Sequence, residues 1–213
     1  MDRFRCLHKL ADLRGDHLVM TTYIGAVSFE WAAITGEDVS NAHLGQMGDV
    51  IGLAVGLALA LPHRRVLCID GDGSVLMELG QLVLLGQEQP PNLTVVVIDN
   101  ETYESIGWQG TGRMASATAK NADLASIARG CGVDHTYTLR ELAEFERVVA
   151  RELAEPHTSF VVAKVAPSTT SVSPRQVDAR EDKYRFVRHI ERLEGKRILR
   201  LAQQDEQLKI GAD

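Results

Sequence analysis

An α/β doubly wound fold, with a mainly parallel sheet and helices on both faces, is what this sequence predicts. Three observations carry that prediction. Arg65–Asp70 (RVLCID) and Leu93–Asp99 (LTVVVID) are nearly unbroken apolar, β-branched runs; strand-like and helix-like segments alternate from about residue 18 to 165; and a cluster of Gly, Asp or Asn follows each apolar run directly. Strands apolar on both faces belong to sheets covered on both sides, which are usually parallel, and the intervening helices supply the crossovers.

In chain order, Leu18–Ile24 reads as a strand ended by Gly25, and Val27 to Ile34 as a short helix. Asp49 to Leu61 is a strongly apolar helix in which Gly48, Gly52 and Gly56 recur every four residues. Glycine costs helix stability, so three on one face suggest close packing against another backbone. Arg65–Asp70 is a buried strand, Val75 to Gly86 a helix, Gln87–Asn92 a Pro-rich turn and Leu93–Asp99 the next strand. Ala122–Gly130 reads as helix, Val133–Tyr137 as strand, Leu139–Ala154 as helix and Ser159–Val165 as strand. After Pro167 a polar linker, Ser168–Pro174, leads to a charged helical tail from Ala179 to about Leu208. Its apolar positions Tyr184, Val187, Ile190 and Leu193 form one narrow stripe, suited to lying on its own domain or to a subunit contact. The chain therefore divides into a domain over 1–167 and an extension over 168–213.

Composition narrows the function. The 213 residues are 45% hydrophobic and 24% charged, with a formal charge of -6. Acidic and basic residues are mixed, which argues against nucleic-acid or anionic-membrane partners. Ile51 to Leu61 is too short to span a bilayer. Met1 to Gly15 is too charged for a signal peptide, and Cys6, Cys68 and Cys131 show no paired spacing, with Cys68 read as a buried thiol. A cytoplasmic, reduced protein is expected.

The chemistry lies in two clusters, Gly71-Asp72-Gly73-Ser74 and Asp99-Asn100. Asp72 and Asn100 are 28 positions apart, the length of one strand–helix–strand crossover. Right-handed crossovers bring the carboxyl ends of parallel strands to one edge, where open α/β sheets bind ligands. A carboxylate and an amide oxygen are hard ligands suited to magnesium, which takes its remaining ligands from water or phosphate. Glycines and a following helix start let amides approach an anion. Singly, either cluster is an ordinary turn; together they describe a crevice for a magnesium-bridged diphosphate.

These residues resemble the thiamine-diphosphate signature, which opens with GDG and closes with Asn. Wider runs, LGQMG (44–48), IDGDGSVLMELG (69–80), DNETYESIGWQGT (99–111) and SPRQVDAR (173–180), resemble the sulfopyruvate and phosphonopyruvate decarboxylases, over about Leu10 to Leu193. The resemblance implies thiamine diphosphate and Mg2+ as cofactors and 2-oxoacid decarboxylation as the activity. It assigns Asp72 and Asn100 to the metal through side chains and Thr102 through its carbonyl. Gly71, Gly73, Ser74 and nearby amides would hold the diphosphate, with Tyr103 beside the cofactor. Gly45 would accept a hydrogen bond from the aminopyrimidine, and Met47, which could also be a plain core methionine, would bend the cofactor. His43 is a candidate proton donor or a loop-bound structural histidine; His135 reads as structural. Trp108 and Gln109 are candidates for closing over the cofactor.

The family's activating glutamate sits in a separate pyrimidine-binding domain, which needs roughly 100 residues. Glu30 does not match its position, so the resemblance implies a partner chain that supplies it and an α/β heteromer. Departures bear on the substrate. Where the sulfonate and phosphonate enzymes carry Gly-Lys-Thr/Ser and Ser-Arg-Glu, this chain has Gly25-Ala26-Val27-Ser28-Phe29-Glu30. Loss of both cations favours a less anionic 2-oxoacid. The acidic residue of simple pyruvate decarboxylases is replaced by Ile106, with Glu104 out of register. Three alternatives stay open: a carboligase with the same cofactor, a non-catalytic cofactor-binding subunit, and a plain nucleotide-binding Rossmann domain, the last disfavoured by the lack of G-x-G-x-x-G.

Overall fold

A computed structural model describes residues 1–36, 38–104, 114–166, 172–173 and 178–199. The chain runs α1 (Arg3–Leu13), β1 (Leu18–Thr22), α2 (Ala26–Thr35), β2 (Asn41–Gly45), α3 (Val50–Ala60), β3 (Val66–Gly71), α4 (Asp72–Met77), α5 (Gly80–Glu88) and β4 (Leu93–Asp99). A ribbon of β5 (Thr102–Tyr103) and β6 (Met114–Ala115) follows, then α6 (Leu124–Gly130), β7 (His135–Leu139), α7 (Leu142–Ala154), β8 (Ser159–Lys164) and α8 (Ala179–Glu194). Six strands form one sheet in the order β2-β1-β3-β4-β8-β7, every neighbouring pair parallel. This is the doubly wound sheet the sequence predicts.

Alternation along each strand builds two cores. In β4, Val95 and Val97 face α3, α5, α6 and α8, among Ile51, Leu82, Leu124 and Phe186. Val96 and Ile98 face the opposite layer of α1, α2 and α7, among Leu7, Trp31 and Phe145. Both faces of β3 and β4 are thus buried, which is why those runs have no polar alternation.

The structure departs from the expected elements at four places. The helix expected over Val75–Gly86 is two helices, broken at Glu78 and Leu79, where Glu78 leaves the helical region (φ -143, ψ 72) and Gly80 offers little helix propensity. Helix α1 was not expected. Asp2 caps it by accepting from Arg5 N at 2.8 Å, and Arg3, Cys6, Leu7 and Leu10 form its buried face, a helical pattern hidden by the charges between them. Strand β2 also went unseen, because only Ala42 and Leu44 are apolar in it.

The fourth departure is the tail. The buried face of α8 is Asp182, Phe186 and Ile190, four apart, whereas Tyr184 and Leu193 are exposed. The three-residue stripe drifts around a 3.6-residue helix; the four-residue row stays on one side. Phe186 and Ile190 join the core beside α3, so α8 lies on this chain's own sheet, next to β2. Most of the polar linker, and the tail beyond residue 199, lie outside the described residues. No described helix is long and apolar enough to cross a membrane.

Gly86 marks the tightest contact in this framework. A Cβ on it would lie 1.9 Å from the Cys131 carbonyl oxygen and 2.6 Å from the carbonyl carbon. Backbone cannot swing away as a side chain tip can, so Gly86→Ala should cost on the order of 1–3 kcal/mol or more. Thermal melts should show a fall of about 2–4 °C per kcal/mol. A variant melting with the wild type would refute this packing of α5 on the α6–β7 turn.

Candidate functional site

The winding of the sheet reverses between β1 and β3: the chain leaves β1 for β2 on one side and leaves β3 for β4 on the other. Carboxyl ends of strands on the two sides of such a reversal diverge and leave a crevice. The cleft found there is walled by Ala26 and Val27 after β1, Met47 after β2, Asp70 to Ser74 at the end of β3, and Asn100, Thr102 and Tyr103 after β4. Asp72 and Asn100 are brought together as the crossover spacing required, with Asn100 N 3.4 Å from Asp72 Oδ1.

Negative charge is concentrated under this cleft. Asp70, Asp72 and Asp99 are each at most 2% exposed. Lys164 is the cation beside them, with Nζ 2.8 Å from Asp99 Oδ2 and 2.9 Å from Glu101 Oε1. Asp70 Oδ1 accepts from Gly71 N at 2.8 Å, while Oδ2 lies within no hydrogen-bond geometry of another group among the described residues, the Ser74 hydroxyl being the nearest influence on this carboxyl. Asp72 Oδ2 accepts from Ser116 Oγ at 2.6 Å and from Thr118 Oγ1 at 3.3 Å. Burial pushes the Asp70 carboxyl up to about 7, although the Ser74 hydroxyl and Gly71 amide pull it back down. Burial pushes Asp72 up to about 6, with Asp99 adding to the rise and Ser116 opposing it.

Residues 23–163 match the family described as thiamine pyrophosphate enzyme, C-terminal TPP binding domain. The chain belongs to that family. It is 35% identical over 190 residues to the sulfopyruvate decarboxylase subunit beta of Methanocaldococcus jannaschii, a match covering 89% of this chain and 97% of that protein. It is 34% identical over 160 residues to the phosphonopyruvate decarboxylase of Streptomyces viridochromogenes, covering 75% of this chain but 38% of that one. Among solved structures it resembles the thiamine diphosphate-dependent 4-hydroxybenzoylformate decarboxylase of Rhodococcus jostii RHA1, with a TM-score of 0.62 and 18% identity. That likeness, over 80% of this chain and 33% of the other, shows the fold. The near end-to-end relatives group this chain with the beta-type subunits of thiamine-diphosphate-dependent decarboxylases.

As a thiamine-diphosphate-binding domain, the chain presents the expected residues unevenly. Met47, Gly71, Asp72, Gly73, Ser74, Asn100, Thr102 and Tyr103 all line the cleft. Gly45, at the end of β2, already accepts from Tyr23 N at 2.7 Å through its carbonyl, which has a second lone pair. The Ser74 hydroxyl accepts from Gly48 N at 2.9 Å and so straps the Met47 loop to the start of α4. Gly48 holds φ 97, a conformation that an L side chain rarely adopts, so the turn that carries Met47 into the cleft needs glycine. His43 is 1% exposed in β2, with Nδ1 2.9 Å from Ser28 Oγ, and it is not among the cleft residues. Trp108 and Gln109 lie outside the described residues.

Several site residues gave no signal in the sequence. Ser116 and Thr118 reach Asp72 because the β5–β6 ribbon folds back and Ser116 N donates to Glu101 O at 3.0 Å. Nothing in M-A-S-A-T announces a ligand to a carboxylate 44 positions earlier. Arg3 is 2% exposed and donates to both oxygens of Glu30, at 2.9 and 2.7 Å, and to Glu104 at 2.6 Å. Glu30 is therefore locked in a buried ion pair.

The donor set fits a hard divalent cation. Asp72 and Asn100 offer carboxylate and amide oxygens, Asp70 keeps an unpartnered buried oxygen, and the buried carboxylates exceed their cations. Gly73 leaves room beside the Tyr103 ring that a Cβ would fill to within 2.8 Å.

The raised carboxyls make a pH prediction for the chain without ligands. Asp70 and Asp72 hold protons more tightly folded than unfolded, where aspartate titrates near about 3.9. From about pH 4 to 7 the unfolded chain holds fewer protons at these groups, so they cost stability as pH rises, with the full cost present above their folded values. Asp72→Asn should gain on the wild type across that window, by up to about 3 kcal/mol at pH 7. Denaturant melts at stepped pH read the difference; a gap that stays constant from pH 4 to 7 would show that Asp72 carries no such burden.

Proposed function

We propose that this chain forms the metal- and diphosphate-binding half of a thiamine-diphosphate-dependent 2-oxoacid decarboxylase, whose site a partner chain completes. The observation that carries the reading is Asp72 beside Asn100 in the crevice at the sheet's switch point, with buried carboxylates in excess of cations. Mg2+ would be held by the Asp72 and Asn100 side chains and the Thr102 carbonyl. Asn100 Oδ1 accepts from Thr102 N at 3.0 Å, which fixes the turn on which all three depend. Thiamine diphosphate, when bound, supplies the electron sink that lets a 2-oxoacid lose its carboxylate as CO2.

The chain's own residues bind and orient. Gly71, Gly73 and the amides at the start of α4 face the diphosphate, Met47 shapes the cleft, and Tyr103 closes one wall. His43, held by Ser28 beneath the sheet edge, positions the strand that carries Gly45 and Met47. No Lys or Arg lines the cleft among the described residues, and Ala26 and Val27 present apolar surface. A 2-oxoacid with an uncharged tail suits that wall better than one bearing a second anion.

Three observations support the partner. The cleft holds about 70 Å3, whereas pockets that enclose a ligand run to roughly 300–1,000 Å3. Glu30, committed to Arg3, is not free to activate a pyrimidine ring. Helix α3 is apolar all round, yet Leu53, Gly56 and Leu59 are exposed, with Val83 and Leu84 of α5 exposed as well. Such a helix is normally buried, and this face is where a pyrimidine-binding chain would seat. Three free cysteines support the cytoplasm as the compartment.

Calorimetric titration of thiamine diphosphate tests the reading, with and without Mg2+, on this chain and on this chain co-expressed with its partner. Binding should require Mg2+, tighten with the partner and weaken at least about 100-fold in Asp72→Ala. With the partner, 2-oxoacids should yield CO2 and aldehyde, uncharged tails turning over faster than sulfopyruvate. Binding indifferent to Asp72 and Mg2+ would overturn the site assignment; turnover by this chain alone would overturn the shared site.

A further inference from the structure

The opposite edge of the sheet carries a second cluster of metal-ligating side chains that the decarboxylase reading does not use. His135 opens β7, His157 stands in the turn before β8, and Glu152 lies in the last turns of α7. Since β7 and β8 run parallel with His135 opposite Ser159, all three gather at the amino ends of the strands, away from the cleft. One ligand atom from each residue lies within 4.8 Å of the others.

Their present bonding leaves one arm unfilled. Glu152 is 1% exposed, and its Oε2 stands 2.7 Å from His157 Nε2 while Oε1 accepts from Arg151 Nε at 2.8 Å. The His135 ring stacks on His157 with centroids 3.6 Å apart and planes at 12°. Its ring nitrogens make no hydrogen bond among the described residues. A carboxylate with two imidazoles, one of them uncommitted, is a richer donor set than a Glu–His ion pair needs.

We propose that His135, Glu152 and His157 form a binding site for a zinc-class divalent ion, with water as the fourth ligand. Two imidazoles and one carboxylate, with an open position, match the ligand preference of Zn2+ and are poorly suited to Mg2+. Tetrahedral bonds of about 2.0–2.1 Å separate donors by roughly 3.4 Å. The Glu152 Oε2–His157 Nε2 pair must therefore open from 2.7 Å while the wider separations, within 4.8 Å, close, with the two half-buried rings turning from stacked to splayed. The ion displaces the hydrogen bond between Glu152 Oε2 and His157 Nε2, the ring proton moving to Nδ1 as Nε2 turns to the metal. Arg151 keeps Oε1 and holds the carboxylate as Oε2 turns to the metal, and the ion ties the end of α7 to the edge strands. This site is independent of the cofactor reading.

Zn2+ is titrated into the full chain, stripped with EDTA and then supplied with Mg2+ and thiamine diphosphate, by calorimetry and by thermal melting. One ion per chain should bind, with a rise in Tm. His135→Asn and His157→Gln should each weaken binding at least about ten-fold. His135→Asn leaves the Glu152 contacts intact and removes only the ring stacked on His157, so it should stay folded without metal; it alone decides the matter if His157→Gln fails to fold. Co2+ should give visible d–d bands in the wild type that fade in His135→Asn. Equal Zn2+ affinity in the wild type and His135→Asn, or no uptake by the wild type, would overturn the site.

Discussion

Three carboxylates buried side by side at the carboxyl edge of one sheet, with a lysine beside them, are the constraint to which the rest of the molecule answers. Asp70 and Asp99 lie at the carboxyl ends of the adjacent parallel strands β3 and β4, and Asp72 opens the helix that follows β3, so all three share that edge. Burying a charge without a partner costs several kcal/mol unless the group stays protonated. The chain offsets part of that cost with Lys164 on β8, with the hydroxyls of Ser116 and Thr118, and with amides at Gly71 and Asn100. It leaves the remainder open, which is the sense in which the domain is built around something it does not itself supply. A hydrophobic core that surrounds β3 and β4 on both faces makes the arrangement affordable.

Where the sequence was readable, it was so for a physical reason. The doubly wound sheet and most of its strands showed plainly because β3, β4 and β8 are covered on both sides and cannot tolerate polar residues. Crossover geometry made a shared crevice for Asp72 and Asn100 an expectation, and the two do lie together. Elements that stayed hidden owe their stability to neighbours rather than to their own pattern. Strand β2 has two apolar residues and is held by β1 and α8; α1 buries an arginine instead of a leucine at its first turn, because Glu30 waits there. The contacts of Ser116 and Thr118 with Asp72 depend on a ribbon whose closure is a long-range event. Local reading could not reach them.

The apolar helix α3 and the small cleft bear on the same question from different directions. A helix without a polar side that leaves Leu53, Gly56 and Leu59 exposed is unfinished in the way that a shallow cleft is unfinished. The glycine spacing at Gly48, Gly52 and Gly56 belongs with this. Gly48 lies against Glu78 and Gly52 against Gln81 and Leu84, whereas a Cβ on Gly56 would meet nothing within 4 Å among the described residues. Relatives of this length are named beta subunits, and a phosphonopyruvate decarboxylase relative is about twice as long. An exposed apolar face and an incomplete site on one side of the molecule are economically explained by a single protein surface covering both.

The C-terminal helix completes the argument about how the site keeps its shape. Asp182 is buried at the start of α8 and accepts from His43 N at 3.1 Å, so the tail fastens the edge strand β2 through a charged acceptor. His43 in turn reaches Ser28 on α2, and two residues further on β2 ends at Gly45, from which the Met47 loop enters the cleft. An edge strand with so little apolar content would fray without an outside hold, and fraying there would release Met47 and the Gly48 turn strapped by Ser74. Phe186 and Ile190 give the tail its grip on the core, while Asp182 converts that grip into registry of β2. His43 thus belongs to the scaffold that holds the Met47 loop, and the charged tail, which looks like an appendage in composition, is part of the same scaffold.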